Sequence, residues 1–286
     1  MDIVINTDLT SIPKGAVPIP HQANFYHNIL GCLYHPVSKK QGTLAKADED
    51  CYPPIAKLLS HIHNLEGDWL IVSPLHWEAT HNDALITAVG HELQLSDEAS
   101  RQWFDALSAF LAPFNQKLYY HDACTWLIQC HEEHQISAKP VYRLLHQSMI
   151  PELKNLDKTL FWQRFITETQ MFFSTHPLNK ARIGLPSVNG VWVWGAGPLR
   201  ARVQTPIICD DPHLLPLARL LSTHVIQGPL PQKPDKKSVI LFNHLNLTHR
   251  IALEHQLKSQ PVRWYWNNLA YLIQPKRWWS RIIGII

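Results

Sequence analysis

Short apolar runs alternate with segments of helical spacing along most of the chain. The apolar runs predict strands at residues 3–5, 68–73, 117–120, 125–130, 188–194, 206–209 and 238–242. Apolar positions three and four residues apart predict helices at residues 23–33, 53–65, 97–110, 141–147, 160–174 and 214–221. The helix from residue 97 has the clearest start, because Ser96 is a favourable N-cap and Asp97 and Glu98 lie in the first turn. The alternation predicts an α/β class, with a mixed sheet flanked by helices.

The same pattern shows no internal repeat and no sharp linker. A chain of 286 residues can bury one large core or two modest ones. We expect a single compact α/β unit over residues 1–286. Its parts are an N-terminal half (1–150), a second half with the most informative stretch (151–261) and a basic, Trp-rich tail (262–286).

Composition narrows the class of protein. The chain is 45% hydrophobic and 17% charged, which indicates a folded domain. A net charge of +3 is too small to indicate a nucleic-acid partner. The five cysteines are scattered without a Cys-x-x-Cys pair, which favours reduced thiols and a cytoplasmic location. The N-terminus does not resemble a secretory signal, and no apolar run approaches the roughly 18 residues that span a bilayer.

The most informative stretch runs from residue 167 to residue 200. Its predicted strand ends at Gly195-Ala196-Gly197-Pro198, where glycines allow a ligand to approach the main chain. Ligands in open α/β sheets bind beyond the carboxyl ends of strands. We therefore expect a site for a small phosphorylated or carboxylated anion, with Arg182 and Arg200 as charged partners. The alternative is a tight turn packed beneath Trp192 and Trp194.

Glu168 lies near the apolar side of the predicted helix that precedes this strand. A carboxylate in that position needs a partner, and Arg182 and His176 are candidates. The alternatives are a surface pair with Arg164 and a structural tie between helix and loop.

These residues carry a family resemblance. The chain resembles RpfE-type regulatory proteins of bacteria at Glu168, Gln170-Met171, His176-Pro177, Asn179, Arg182, Gly184, Val188-Asn189, Trp192, Trp194-Gly195 and Gly197. Upstream, Ser73-Pro74-Leu75-His76 with Asp83 resembles the family's Asp-Pro-Val-His segment, with Ser73 in place of the acid. The resemblance implies a cytoplasmic regulatory or ligand-binding protein. The ligand-binding residues expected from the stretch and this resemblance are His76, Glu168, His176, Asn179, Arg182, Asn189, Trp192, Trp194, Gly195 and Gly197.

Residues 189–197 are also similar to a segment of cofactor-independent phosphoglycerate mutases, which implies an alkaline-phosphatase-like fold. Such mutases need two divalent metals, an Asp-Gly pair after the first strand and a downstream Asp-His pair. Here the first strand leads into Asn6-Thr7-Asp8, and neither dipeptide occurs. We therefore expect a related scaffold without the metal-dependent centre and without a cofactor. The alternative is a metal-dependent phosphoryl or phosphodiester hydrolase or mutase, with Asp210, Asp211 and His213 as weak ligand candidates.

Other motifs give weaker signals. A second cluster of metal-ligand types lies at Cys130-His131-Glu132-Glu133-His134, and no Gly-x-Ser-x-Gly or P-loop motif is present. The last twelve residues combine basic and aromatic side chains, which is compatible with an adaptor at a membrane surface or on a protein partner as a third function. Trp278, Trp279 and Arg281 would then contact the inner membrane. The alternative is that the tail packs on its own domain.

Overall fold

The computed structural model describes residues 1–21, 24–34, 54–81, 83–131, 136–232 and 234–275. The α-helices are α1 (Phe25–Tyr34), α2 (Ile55–Ile62), α3 (Asp97–Leu111), α4 (Ile150–Asn155), α5 (Phe161–Thr175), α6 (Leu215–Leu221) and α7 (Leu247–Gln256). The strands are β1 (Asp2–Ile5), β2 (Val17–Pro18), β3 (Asp68–Ala79), β4 (Ala84–Val89), β5 (Leu118–Asp122), β6 (Thr125–Cys130), β7 (Gly190–Trp194), β8 (Ile207–Cys209), β9 (Val225–Gln227), β10 (Val239–Phe242), β11 (Val262–Tyr265) and β12 (Ala270–Ile273). Short 3₁₀ helices cover Gly90–Leu93, Ala112–Phe114, Val141–Arg143 and Pro177–Ala181.

The chain divides into two compact units, where the sequence pattern predicts one. Unit 1 combines residues 1–47 with residues 200–286, and unit 2 is the continuous segment 48–199. The predicted tail also differs from the structure, because residues 262–273 form β11 and β12 within the sheet of unit 1. Local patterns cannot show this division, since β1 pairs with strands more than two hundred residues away.

Unit 1 is built on a seven-stranded mixed sheet with the order β2-β12-β11-β1-β10-β8-β9. Strands β11, β1, β10, β8 and β9 are parallel, whereas β12 and β2 are antiparallel to their neighbours. The central strand β1 reads as a continuous apolar run, and its residues Ile3, Val4 and Ile5 are fully buried. The sheet and its helices confirm the predicted α/β class.

Unit 2 contains an antiparallel sheet in which β3 is the central strand. Strand β3 pairs with β4, β6 and β7, and β5 is an edge strand that pairs with β6. Helix α5 packs against β7, and α2 packs against β3 through its buried residues Ile55, Leu58 and Leu59.

Strand β3 does not end at Pro74, where the sequence pattern predicts its end. It pairs with β6 over residues 68–72 and with β4 over residues 75–79. Pro74 lies between these two ladders, and it is paired with Val191 in the third ladder, between β3 and β7. A proline fits within a strand where its missing N–H group faces no partner, and the sequence pattern of β3 alone does not reveal such a place.

Helix α3 confirms the prediction made from its N-terminal residues. It begins at Asp97, and the Ser96 hydroxyl accepts a hydrogen bond from the Ala99 nitrogen at 3.2 Å. None of the helices in the described ranges combines the length and the apolar content that a bilayer crossing needs. The tail residues 276–286, including Trp278, Trp279 and Arg281, lie outside the described residues.

Candidate functional site

Asn179 closes the loop between α5 and β7. Its amide nitrogen donates to the carbonyl oxygens of Phe173 and Val188, each at 3.0 Å. Its Oδ1 atom accepts from the Val188 nitrogen at 2.9 Å. An asparagine amide has two donors and two acceptor lone pairs, so these bonds leave a single lone pair for a ligand. Contact between Asn179 and a ligand stays a prediction. Its hydrogen bonds show that it joins the end of α5 to the residues just before β7.

Asn189 pairs in the same way with the main chain of Trp77. The Trp77 nitrogen donates to Asn189 Oδ1 at 2.9 Å, and Asn189 Nδ2 donates to the Trp77 carbonyl at 2.7 Å. The pairing of β3 with β4 shifts register at this point, between His76 and Trp77. The Asn189 side chain thus acts as a strand partner just before β7 begins.

Trp192 and Trp194 belong to the core of unit 2. Their relative exposures are 0% and 2%. The Trp192 indole nitrogen donates to the Lys139 carbonyl at 2.8 Å, and the Trp194 indole nitrogen donates to the Ser73 hydroxyl at 3.0 Å. Because both rings are enclosed and both N–H groups are bonded, this conformation offers a ligand no indole surface. This packing matches the alternative given for this stretch, a tight turn packed beneath Trp192 and Trp194.

The glycine turn after β7 lies against the N-terminus of α2. Gly195 has a φ of +89° and Gly197 a φ of +125°, conformations that favour glycine. The Gly195 carbonyl accepts from the Ala56 nitrogen at 3.2 Å. A Cβ at Gly195 would lie 3.1 Å from Ile71 Cδ1 and 3.3 Å from the Ala56 nitrogen. At Gly195, therefore, α2 and β3 occupy the space beside the main chain that the glycine leaves open.

The charge of Arg182 lacks an acidic partner among the described residues. Its Nε donates to the Pro186 carbonyl at 2.8 Å, and its Nη2 donates to the Leu93 carbonyl. Burial lowers the pKa of Arg182, and no neighbouring carboxylate raises it. The predicted pair with Glu168 is therefore not formed in this conformation. Glu168 is exposed on α5, beside Arg164 in an open groove of about 340 Å³.

Arg182 lines a groove between α3 and residues 178–185, which we call the Arg182 groove. Its volume is about 210 Å³. The lining residues are Gln94, Ser96, Ala99, Gln102, Trp103, Leu178, Ala181, Arg182 and Leu185. The N-terminus of α3 contributes Ser96 and Ala99, and this end of a helix carries a partial positive charge. His176 lies nearby, since its ring centroid is 5.0 Å from that of Trp103.

His76 is held by Ser187, another contact between distant parts of unit 2. Its Nδ1 lies 2.9 Å from the Ser187 hydroxyl and 3.0 Å from the Ser187 carbonyl oxygen. A carbonyl oxygen only accepts hydrogen bonds, so we assign the proton to Nδ1. His76 Nε2 lies 3.5 Å from the exposed Glu78 carboxylate. This arrangement makes His76 a hydrogen-bond donor to Ser187 and not a base that activates its hydroxyl.

In unit 1, amide side chains meet at the carboxyl ends of the parallel strands. Asn6 Nδ2 donates to Asn243 Oδ1 at 3.1 Å, and Asn267 Nδ2 donates to Asn6 Oδ1 at 3.4 Å. These residues follow β1, β10 and β11, at the edge where open α/β sheets bind ligands. Their amides bond to one another, so this edge carries a neutral network at the three strand ends.

The weak metal candidates Asp210, Asp211 and His213 follow β8. Asp211 Oδ1 accepts from the His213 nitrogen at 2.8 Å, while Asp210 and His213 are exposed. In the described ranges, no three His, Cys, Asp or Glu side chains are grouped as a metal would require. Asp211 therefore stabilises a turn, and metal binding there stays a prediction. The other cluster, at residues 130–134, lies partly outside the described residues.

Sequence reasoning did not identify a histidine pair in unit 2. His63 Nε2 lies 2.9 Å from His121 Nδ1, and the Tyr119 hydroxyl lies 3.1 Å from His63 Nδ1. The two histidines are 58 residues apart and match no local motif. The alternation of Tyr119 and His121 on one strand face was the available signal.

Comparison with protein-family models finds no match, and comparison with curated protein sequences finds none. Among solved structures, the chain is similar to the cofactor-independent phosphoglycerate mutase from Thermoplasma acidophilum DSM 1728. The identity is 15% and the TM-score 0.33, over 96% of this chain and 90% of that chain. At that TM-score the similarity carries no argument, and the fold class rests on the helices and strands themselves. The resemblance to RpfE-type proteins stays a prediction.

Proposed function

We propose that the chain is a cytoplasmic regulatory protein that binds a small carboxylated or phosphorylated anion in the Arg182 groove. The regulatory part of this proposal comes from the resemblance to RpfE-type proteins. The location is supported by the free cysteines Cys32 and Cys209. The anion is supported by the charge of Arg182.

The guanidinium of Arg182 is the observation that carries the proposal. It is held by two carbonyl oxygens and loses solvation through burial, and its pKa is lowered without a carboxylate to offset the effect. A positive charge in this state gains from an anionic ligand, because a guanidinium forms paired hydrogen bonds with carboxylate and phosphate groups. Its Nη1 group remains for that contact.

The N-terminus of α3 adds a second favourable contribution to the same groove. The Ala99 nitrogen is already bonded to the Ser96 hydroxyl, so this contribution comes from the partial positive charge of the helix end. Asp97, in that first turn, is engaged by the Tyr120 hydroxyl at 2.7 Å and by Arg101 at 2.9 Å. These partners reduce its repulsion of an incoming anion.

Part of the remaining surface of the groove is apolar, which favours a ligand with an apolar part. Leu178 and Leu185 line the groove, and Ile183, which follows Arg182 in the chain, is 91% exposed. An exposed isoleucine next to an arginine suits an aromatic or short-chain carboxylate better than a bare phosphate.

Binding to the full-length protein by calorimetry tests the proposal, with benzoate, hexanoate and inorganic phosphate as probes. The exposed Gln102 lines the groove, so Gln102→Glu adds a negative charge there without removing a structural hydrogen bond. We expect about fivefold weaker binding, from a repulsion on the order of 1 kcal/mol. Gln147→Glu makes the same change at an exposed position outside the groove and should bind as the wild type does. Equal affinities for the two variants, or no binding of any probe by the wild type, would refute the proposal.

A further inference from the structure

Three side chains of unit 2 form a continuous hydrogen-bonded chain between α2 and β5, and the Asp122 carboxylate lies next to its end. His63 follows the last residue of α2, and Tyr119 and His121 share one face of β5. The Tyr119 hydroxyl lies 3.1 Å from His63 Nδ1, and His63 Nε2 lies 2.9 Å from His121 Nδ1. At the far end, His121 Nε2 lies 3.6 Å from an Asp122 carboxylate oxygen.

In the neutral state one arrangement of protons satisfies both hydrogen bonds and turns a donor toward the Asp122 carboxylate. His121 Nε2–H points to Asp122, which leaves His121 Nδ1 as an acceptor for His63 Nε2–H. His63 Nδ1 is then an acceptor for the Tyr119 hydroxyl. Both hydrogen bonds then join a donor to an acceptor, and His121 Nε2–H faces the Asp122 carboxylate at 3.6 Å.

We propose that these four side chains are an acid-sensitive latch, which ties the C-terminal end of α2 to the edge strand β5 and opens when both imidazoles are protonated. One added proton is accommodated, because His63 Nδ1–H then donates to the Tyr119 oxygen. A second added proton makes His63 Nε2 and His121 Nδ1 both donors, facing each other across 2.9 Å. It also places two positive rings with centroids 5.1 Å apart.

The surroundings of the latch favour its neutral form. Burial lowers the pKa of His63, and the neighbouring His121 lowers it further. Burial also lowers the pKa of His121, against a smaller opposing effect of Asp122. Both values lie below that of an unfolded histidine, so the unfolded chain binds more protons in mild acid. Stability from the latch is therefore present above about pH 6.5 and is lost as the pH falls.

Among the described residues, the other ionisable groups on α2 and β6 are Lys57, His61 and Cys130. Lys57 of α2 forms an ion pair with Asp68 of β3 at 3.0 Å. His61 of α2 is exposed, and its Nδ1 lies 2.7 Å from the Lys57 carbonyl oxygen. Burial raises the pKa of Cys130 on β6 to about 11, so its thiol stays protonated throughout this range.

Opening of the latch is expected to be local. The other end of α2 keeps its bond from the Ala56 nitrogen to the Gly195 carbonyl, and the buried face of the helix stays on β3. The last turn, where the His63 nitrogen donates to the Leu59 carbonyl at 3.0 Å, is the part that loses its tie to β5.

Hydrogen exchange of the full-length protein at pH 7.5 and pH 5.5 tests the latch. After correction for intrinsic rates, we expect protection of the amides at residues 62–65 to fall about tenfold or more in acid. His121→Gln should remove this pH dependence, whereas the exposed His61→Gln on the same helix should retain it. A wild type whose protection is the same at both pH values, or a His121→Gln variant with the wild-type pH dependence, would overturn the proposal.

Tyr119→Phe provides a second test if His121→Gln does not fold. The ring remains, but the oxygen that accepts from singly protonated His63 is lost. The midpoint of the acid-induced loss of protection should therefore move about 0.5 pH units upward. An unchanged midpoint would contradict the latch and leave the hydrogen bonds with a structural role alone.

Discussion

Replacement of Asn189 by alanine should destabilise unit 2 strongly although it removes little apolar surface. The side chain forms two hydrogen bonds with the Trp77 main chain, at 2.9 Å and 2.7 Å. An unpaired buried main-chain group costs about 1–3 kcal/mol, and Trp77 is half-buried. With two groups unpaired, we expect a loss of about 2–3 kcal/mol in the free energy of unfolding. In a unit of this size that corresponds to a fall of about 5–10 °C in Tm.

Urea unfolding followed by tryptophan fluorescence is a suitable assay for this loss. Seven of the eleven tryptophans lie in residues 48–199, so the signal reports mainly on unit 2. Asn155→Ala, at the exposed end of α4, is the matched control and should stay within about 0.5 kcal/mol of the wild type. If Asn189→Ala were as stable as this control, the pairing with Trp77 would not be what positions the start of β7.

Three further predictions concern backbone conformation, ionisation and a turn. Gly195→Ala should lose about 2–3 kcal/mol, whereas Gly184→Ala, with a φ of +74° and open space around it, should lose only about 1 kcal/mol of strain; urea titration compares them. Burial and the Asp97 carboxylate raise the pKa of Tyr120 to about 12, so Asp97→Asn should lower it in a phenolate absorbance titration. Because that folded pKa exceeds the unfolded value of about 10, this tyrosine makes stability fall as the pH rises above 10. Asp211→Ala should lose about 0.5–1.5 kcal/mol in thermal unfolding through the unpaired His213 nitrogen, with or without added Mn²⁺.

The elements predicted from sequence are those whose signals lie within a few residues. Helix α3 begins at its predicted residue because a serine and the turn that follows it determine the cap. Strand β6 was predicted with its observed bounds, residues 125–130, because it reads as a short apolar run between polar residues. Strands β11 and β12 were not predicted, because their pairing depends on a strand far away in the chain. Strand β11 pairs with β1, and β12 pairs with β11.

The candidate site depends on contacts between residues far apart in the chain. The sequence therefore identified which residues matter more reliably than what each of them does. An asparagine before a strand suits a ligand and a main-chain partner equally well, and the partner of Asn189 is 112 residues away. Gly195 is required for a close approach, but its sequence context does not reveal whether a ligand or a helix approaches. Arg182 was identified as a charged site residue, and only the packed structure shows that its charge lacks a carboxylate among the described residues.

The central position of β1 has a consequence for synthesis of the protein. This strand leaves the ribosome before either of its neighbours, which are residues 239–242 and 262–265. At about 5–20 residues per second, it waits roughly 12–50 s for both neighbours. Unit 2 is one continuous segment and is complete well before then, so it can fold on the nascent chain while an apolar N-terminal segment is still unpaired. During that interval the unpaired apolar strand is prone to aggregation.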